Sequence, residues 1–327
     1  MSSVLLLRPD KAGDLIKTLP VVRALHQTVE DITIHLLVSK ANESLLKYEP
    51  NLTYSVLPGN WENLEDNELE SLLTKLMEGK NFHTAINLLS DSFPQVERLL
   101  QLSPAGEKFS VFSESLPIGI WPLTYKTRTP VHQNETVNIA ELVGQALGLE
   151  LTELSLKSPR APLLGAEDSE EAHRVLGQKT GDWIGLCPFA GTQQRTHPLI
   201  GWQKLIGKIC RQKKYEKVLV FGAPSNLPEL ETLKKSLGSP TSLDICSPSN
   251  FRTLGAYLKR CDRVVAVDSG PLHFSLALGI PSLGFLSGGD RRRWFSETSP
   301  HDRLVSRGLW DRYPTAFEMG WHFSRWK

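Results

Sequence analysis

The feature that most constrains this chain is an alternation of short apolar strands with amphipathic helices that begins near its start. Val4–Leu7 form an apolar run typical of a buried strand, which ends at Arg8-Pro9. After a short polar loop, Gly13-Asp14 open a predicted helix whose apolar residues recur at helical spacing, namely Leu15, Ile16, Leu19, Val22 and Leu25. Because open parallel sheets bind ligands at the turns after their strands, this first strand–turn–helix unit is a candidate site.

The same alternation continues through the first half of the chain. Further strands are predicted at Ile32–Val38, Leu52–Pro58, Thr84–Ser90 and Lys108–Ser113. Helices are predicted at Asn42–Tyr48, Asp66–Glu78, Pro94–Leu102 and Glu135–Leu147, and Gly119–Pro130 is expected to be irregular. Strands separated by helices indicate parallel βαβ units with right-handed crossovers.

A proline-containing segment without periodicity, Leu149–Gly165, is the best candidate for a linker. A second series follows, with strands at Trp183–Cys187, Lys217–Phe221, Leu243–Cys246, Arg263–Val267 and Ser282–Leu286. Its helices are predicted at Ser169–Leu176, Trp202–Arg211, Leu227–Leu237, Phe251–Arg260 and Leu272–Leu278. The expected fold class is α/β, with two Rossmann-like domains, 1–155 and 156–310, facing each other across a cleft.

Composition and net charge exclude some classes of binding partner for a chain with this fold. The 327 residues carry a net charge of +1, which gives no basic field for nucleic acid, and the four cysteines include no CxxC pair. With no signal peptide and no long apolar run, the chain is expected to be cytoplasmic. Basic clusters at Lys126–Arg128, Arg211–Lys214 and Arg291–Arg293 are typical of solvated faces, and peripheral contact with a membrane surface stays open.

A second strand–turn–helix unit stands out in the latter half of the chain. Asp268-Ser269-Gly270 form its turn, and Pro271 follows at a position typical of the first residue of a helix. The N–H groups and the dipole of this helix start suit a diphosphate, while the turn offers a carboxylate and a hydroxyl to a sugar. His273 lies one turn into the helix and is open to two interpretations, a ligand contact or ordinary packing.

A polar loop after the strand Trp183–Cys187 is a third candidate element. Thr192, Gln193, Gln194 and Arg195 are expected to overhang the cleft, where the guanidinium matches two phosphate oxygens. The sequence has no GxGxxG fingerprint, no P-loop, no GxSxG elbow and no cluster with metal-ligand spacing. A diphosphate site without metal is therefore favoured over an NAD-dependent oxidoreductase.

Asp14 has two interpretations on residues alone. Aspartate is a preferred N-cap of helices, which is the commoner role, and a carboxylate at a cleft can also act as a general base. The residues around Asp14 leave both interpretations open.

Two motifs together resemble the lipopolysaccharide heptosyltransferases, glycosyltransferase family 9. They are Arg8-x4-Gly13-Asp14-x5-Pro20 and Val267-Asp268-Ser269-Gly270-Pro271-x-His273. His132-x2-Glu135 and the loop Pro188–Trp202 are similar to the family as well, so the resemblance spans nearly the whole chain.

This resemblance implies a GT-B fold and an inverting, metal-independent transfer of a sugar from a nucleotide sugar, typically ADP-heptose. It implies that Asp14 is the general base. Donor-binding residues would be Thr192, Gln193, Arg195, Asp268, Ser269, Gly270 and His273. Acceptor-binding residues would be Arg8, Asp10, Lys11 and Gly13, next to a glycolipid at the cytoplasmic face of the inner membrane. The resemblance implies no cofactor and no metal.

Two alternatives stay open, a non-catalytic sugar-nucleotide or glycan-binding protein on the same fold, and a family member that uses a different sugar nucleotide. The aromatic-rich C-terminal segment, 311–327, is expected to form a helix that crosses back onto the first domain, because its tryptophans would be costly to leave in water.

Overall fold

The computed structural model of the chain describes residues 3–89, 93–111, 125–127, 134–150, 160–192, 195–286, 291–295, 299–306 and 315–326. The chain divides into two compact units, 1–163 and 164–327. The predicted boundary after residue 155 falls within 151–159, outside the described residues. Among the helices of the described residues, none has the length and apolar character that crossing a membrane requires.

The first unit is built on a parallel six-stranded sheet whose order is β3-β2-β1-β4-β5-β6. Its strands are β1 (Ser3–Arg8), β2 (Thr33–Ser39), β3 (Leu52–Leu57), β4 (Phe82–Asn87), β5 (Ala105–Val111) and β6 (Tyr125–Thr127). Its helices are α1 (Ala12–Thr28), α2 (Lys40–Leu46), α3 (Asp66–Leu76), α4 (Pro94–Leu102) and α5 (Glu135–Leu147). Strand β6 corrects the prediction that Gly119–Pro130 is irregular throughout, since its three residues pair with β5.

The second unit repeats this plan with the order β12-β11-β10-β7-β8-β9. Its strands are β7 (Trp183–Cys187), β8 (Lys217–Phe221), β9 (Leu243–Cys246), β10 (Arg263–Val267), β11 (Ser282–Leu286) and β12 (Arg303–Ser306). Its helices are α6 (Ala166–Leu176), α7 (Leu199–Gln212), α8 (Leu227–Ser236), α9 (Phe251–Leu258), α10 (Gly270–Ala277), α11 (Arg291–Phe295) and α12 (Ala316–Ser324). Strand β12 and helix α11 were not predicted. The two parallel sheets confirm the predicted α/β class.

The strand orders create one topological switch point in each sheet. In the first unit the chain moves from β1 outward to β3 and then returns to the other side of β1 as β4. In the second unit β7 and β10 are neighbours in the same way. Open parallel sheets bind ligands at such points, beyond the carboxyl ends of the strands. The two motifs of the sequence follow β1 and β10, so each lies at a switch point.

A close helix contact fixes the helix that follows β10. Gly255 of α9 faces the ring of Phe274 in α10, and a Cβ at this glycine would lie 2.2 Å from the ring carbon Cζ. Phe274 itself is completely buried. Only glycine therefore allows α10 to approach α9 this closely, and the first turn of α10 is held by the packing of its own core residue.

The C-terminal helix α12 packs against α7 within the second unit, and its crossing back onto the first domain stays a prediction. Its contacts are with α7, and Met319, Phe323 and Trp326 belong to the hydrophobic core of the second unit. Lys208 of α7 donates to the carbonyl of Gly320 at 3.1 Å, and the Trp326 indole donates to the His301 carbonyl at 2.7 Å. Met319, Phe323 and Trp326 are buried in the core of their own unit, whereas Phe317 and Trp321 are 80% and 40% exposed.

Candidate active site

The first switch point is organised around Arg8, the last residue of β1. Its side chain is 1% exposed, and its Nη1 donates to the carbonyl of Leu88, just after β4, at 2.7 Å. Its Nη2 donates to the backbone carbonyl of Asp14 at 3.3 Å. Arg8 therefore joins the ends of β1 and β4 to the first turn of α1, and it brings a buried positive charge to the switch point.

Three carboxylates surround this guanidinium. The Nε atom of Arg8 lies 3.4 Å from Oδ1 of Asp10, and its Nη2 lies 3.9 Å from Oδ1 of Asp14 and 3.9 Å from Oε1 of Glu135. One formal positive charge thus faces three formal negative charges. Such an excess of carboxylates raises the cost of ionising all of them together.

Asp14 is not the N-cap of its helix. Helix α1 begins at Ala12, so Lys11 occupies the N-cap position and Asp14 is an acidic residue of the first turn. Its backbone carbonyl accepts from Thr18 Oγ1 at 3.0 Å, and its side chain is 18% exposed. The capping interpretation of Asp14 is therefore wrong, and the carboxylate lies at the switch point with a face open to solvent.

Asp10 is fixed in the loop between β1 and α1. Its backbone carbonyl accepts from Asn42 Nδ2 at 3.0 Å and from Ser39 Oγ at 3.2 Å, while its side chain is 22% exposed. Burial raises the pKa of Asp10 from 3.8 to about 7, since desolvation and the nearby carboxylates outweigh the lowering effect of Arg8. This carboxyl therefore takes up and releases a proton near neutral pH.

Glu135 was not among the predicted site residues. It opens α5 and is completely buried, and the His132-x2-Glu135 motif was the one signal that marked it. His132 itself lies outside the described residues. Of the other residues predicted for acceptor binding, Gly13 is buried within α1 and Lys11 is exposed at its start.

The second switch point places Asp268 and Ser269 directly after β10. Both residues are largely buried, with 6% and 8% of their surface exposed. The Ser269 hydroxyl donates to the Val267 carbonyl at 3.0 Å, and Ser269 is the N-cap residue of α10, in which Gly270 is the first helical residue. The predicted turn before a helix is thus present, and its position relative to the sheet is the one expected for a ligand site.

Arg195 reaches this turn from the loop after β7. Its Nη1 lies 3.9 Å from Oδ1 of Asp268, while its side chain is 44% exposed. The carbonyl of Thr192 accepts from the Arg195 backbone N–H at 3.1 Å and from Thr196 Oγ1 at 3.2 Å, which closes the loop on itself. Gln193 lies outside the described residues.

His273 lies in the first turn of α10 and packs against aromatic rings. Its imidazole is stacked on Phe295 of α11, with ring centroids 4.7 Å apart and planes 11° from parallel. The Trp294 ring lies edge-on at 6.3 Å. Packing thus accounts for the orientation of the imidazole, and contact with a donor stays a prediction.

Within the part of the chain that the structure describes, no group of three or more His, Cys, Asp or Glu side chains is arranged to hold a metal ion. The cation that Asp10, Asp14 and Glu135 share is the Arg8 guanidinium.

Comparison with known proteins agrees with this architecture. The chain is 24% identical over 321 residues to lipopolysaccharide heptosyltransferase 3 of Escherichia coli (strain K12), which covers 94% of this chain and 88% of the relative. The fold is shared with a glycosyl transferase family 9 structure from Veillonella parvula DSM 2008, at a TM-score of 0.76 and 17% identity, covering 100% of this chain and 92% of that one. It is also shared with E. coli heptosyltransferase WaaC solved with ADP, at a TM-score of 0.73 and 16% identity, covering 98% and 97%.

The family model described as glycosyltransferase family 9 (heptosyltransferase) matches residues 73–304. This range contains Glu135, the loop of Arg195 and the whole second switch point, and it begins after the turn that holds Asp14. Because the match covers most of the chain, the chain belongs to glycosyltransferase family 9 and is a glycosyltransferase.

Proposed function

We propose that the chain transfers a heptose from ADP-heptose to a hydroxyl of a lipopolysaccharide core glycolipid, with inversion and without metal. The family description names heptosyltransferases, the E. coli relative is a lipopolysaccharide heptosyltransferase, and the similar WaaC structure holds ADP. A glycolipid acceptor would bring the enzyme to the cytoplasmic face of the inner membrane, as a peripheral protein.

The observation that carries the proposal is the placement of Asp14. Its carboxylate lies at the switch point, 18% exposed, and it does not cap its own helix. A buried arginine binds its backbone carbonyl at 3.3 Å and faces its Oδ1 at 3.9 Å, so the side chain is held before any substrate binds. A preorganised, accessible carboxylate is what a general base needs.

In the proposed reaction Asp14 accepts the proton of the acceptor hydroxyl. The hydroxyl oxygen forms the new bond to the anomeric carbon of the heptose, while the bond from that carbon to the diphosphate breaks on the opposite face. The electron pair of the broken bond leaves with ADP. General-base assistance of this kind contributes about 10²–10⁴ in rate.

The second unit is proposed to hold the donor. Arg195 and the start of α10 at Gly270 would offset the charge that develops on the diphosphate, and Asp268 and Ser269 would bind the sugar. Arg195 suits this role because its guanidinium is 44% exposed yet already lies beside the switch point. Thr192, Gln193 and His273 complete the proposed donor set.

The first unit is proposed to hold the acceptor through Lys11 and Asp10. Arg8 was expected to bind the acceptor as well. With 1% of its side chain exposed, Arg8 has no surface for a sugar, and we assign it a positioning role through Asp14 instead. The buried Gly13 contributes backbone only.

The test is the variant Asp14→Asn, assayed for heptose transfer from ADP-heptose. We expect turnover to fall by about 10²–10⁴ while ADP binding and thermal stability stay near wild type. Asp66→Asn is the matched control, since Asp66 is also a first-turn aspartate paired with an arginine, Arg98, and should keep full turnover. If Asp14→Asn kept a third of the wild-type turnover, the base assignment would fail.

Two further measurements separate the alternatives. The anomeric configuration of the product, read by NMR, should be opposite to that of the donor. A thermal-shift screen with ADP, UDP, GDP and CMP should single out ADP, because a ligand at 100 times its Kd adds about 2.7 kcal/mol of stability. A protein that binds ADP-heptose but transfers nothing to any core acceptor would instead be a binding protein on this fold.

A further inference from the structure

A buried glutamate shares the arginine that holds the proposed base. Glu135 is completely buried, and its Oε1 lies 3.9 Å from the same Arg8 Nη2 atom that faces Asp14. We propose that Glu135 is a positioning residue for Asp14: it divides the attraction of Arg8, so that the guanidinium holds the Asp14 carboxylate without neutralising it. This inference rests on the proposed function and deepens it.

The reason lies in what a lone arginine does to a carboxylate. An Arg8–Asp14 pair by itself would stabilise the ionised form of Asp14 and make it a poor proton acceptor. A second carboxylate on the same guanidinium competes for that charge. The base then keeps its position, through the bond from Arg8 to the Asp14 carbonyl, and also keeps its affinity for a proton.

Glu135 acts without touching substrate, because none of its surface is exposed. Its place is set by α5, whose N-cap Asn134 accepts from the Thr136 N–H at 3.0 Å, and helix α5 contacts α1 directly. A carboxylate in the first turn of a helix is also favoured by the helix dipole. The start of α5 and the Arg8 guanidinium therefore offset the free-energy cost of burying this charge.

The groups that face this cluster come from several elements. Among the described residues the charged ones are Arg8 from β1, Asp10 from the loop, Asp14 from α1 and Glu135 from α5. The neighbouring α2 contributes the uncharged Asn42, and α5 adds the uncharged Asn138, whose Nδ2 donates to Glu135 Oε2 at 3.5 Å. Because Asp10 and Asp14 share Arg8 with Glu135, we expect the acidic limb of a pH–rate profile to respond to the charge of Glu135.

The test is Glu135→Gln, which removes the charge and keeps the shape. We expect kcat to fall roughly tenfold, less than for loss of the base, and the acidic limb to move to lower pH by about one unit. The KM values for donor and acceptor should change less than about twofold, since the side chain reaches neither substrate. Glu135→Asp keeps the charge and should return the limb toward its wild-type pH.

The matched control is Glu97→Gln. Glu97 is a buried glutamate of the same unit, 3% exposed, but its partners are Asn87, at 2.8 Å, and the Ser110 hydroxyl. This variant should lose stability and leave the pH limb in place. A limb that moves equally in both variants, or in neither, would overturn the inference.

The inference can also be tested with a second variant. If Glu135→Gln alone does not fold, Arg8→Met/Glu135→Gln removes both charges, and replacing a buried pair by uncharged groups is often tolerated. Asp10 and Asp14 then remain without their cation, and the limb should move to higher pH; an unmoved limb contradicts the inference. Loss of turnover in Asp14→Asn together with an unmoved limb in Glu135→Gln would reject the inference alone, whereas an active Asp14→Asn would reject the proposed function.

Discussion

The two switch points occupy equivalent places in sheets of the same strand order, yet the arginine is buried at the first and exposed at the second. In the first unit the charges are assembled inside the protein, with Arg8 1% exposed and Glu135 completely buried. In the second unit the cation is outside, since Arg195 is 44% exposed beside an Asp268 that is 8% exposed in its side chain.

This difference fits what each site would have to do. A general base must stand in one place when the substrate arrives, and a buried network fixes it in advance. A donor site must admit and release a charged nucleotide in every turnover. A long, solvated arginine on a loop can do this, because its charge costs little to hold in water and gains most when a phosphate covers it.

The largest effect that tests this contrast is on nucleotide binding. Arg195→Ala should weaken ADP binding roughly 10–100-fold, equivalent to about 1.5–3 kcal/mol for a charged hydrogen bond, while stability stays unchanged. Isothermal titration calorimetry with ADP measures this directly. Arg211→Ala, an exposed arginine on α7, is the control and should bind ADP as the wild type does. Equal affinities in both variants would remove Arg195 from the donor site.

The contrast also shows which parts of the molecule the sequence predicts. The strands β7, β8, β9, β10 and β11 were predicted to the residue. For β7, β8, β10 and β11 the reason is that a strand buried on both faces appears as a mostly apolar run between turn residues. Two of the four edge strands, β6 and β12, were missed, while β3 and β9 were predicted. Each missed strand is three or four residues long with basic and polar positions, so no apolar run marks it.

The site was predicted in part for a similar reason. Asp268 directly follows β10, Arg195 lies in the loop after β7 and Asp14 lies at the start of the helix after β1. The connection after a parallel strand is a recognisable place for a ligand. Glu135 lies far along the chain from Asp14, and it meets Arg8 only because α5 packs against α1. A contact of this kind between distant segments cannot be read from local sequence patterns. The start of α1 was misplaced as well, since N-cap preference favours aspartate, whereas the structure has Lys11 there.

A smaller effect is expected on stability at the first switch point. Burial raises the pKa of Asp10 from its ordinary value of 3.8 to about 7 in the folded protein, so the folded state binds more protons than the unfolded state between these two pH values. Stability contributed by protonated Asp10 is therefore present at low pH and is lost as pH rises from about 4 to about 7. The variant Asp10→Asn replaces this carboxyl by an amide, which is uncharged at every pH.

This variant should consequently be more stable than the wild type at pH 8, by about 1–3 kcal/mol, with the difference vanishing near pH 4. Thermal unfolding across this range provides the measurement. Asp244→Asn is a control in the second unit, where the carboxylate is 42% exposed beside Lys217. A difference in Tm that does not grow with pH would mean that Asp10 is ionised in the folded protein across the whole range.

The smallest expected effect concerns metal. Asp10, Asp14 and Glu135 surround a guanidinium, which takes the place that a metal ion would need among them. In the proposed mechanism the charge for the diphosphate comes from Arg195. A divalent ion would have to displace Arg8, which also binds the Leu88 carbonyl at 2.7 Å. We therefore expect heptose transfer in excess EDTA to match the untreated rate, and added Mg²⁺ or Mn²⁺ to bring no gain. Activity that is lost to EDTA and restored by either ion would show that a metal ion stabilises the charge of the leaving group. The role proposed for Arg195 at the second switch point would then pass to that ion.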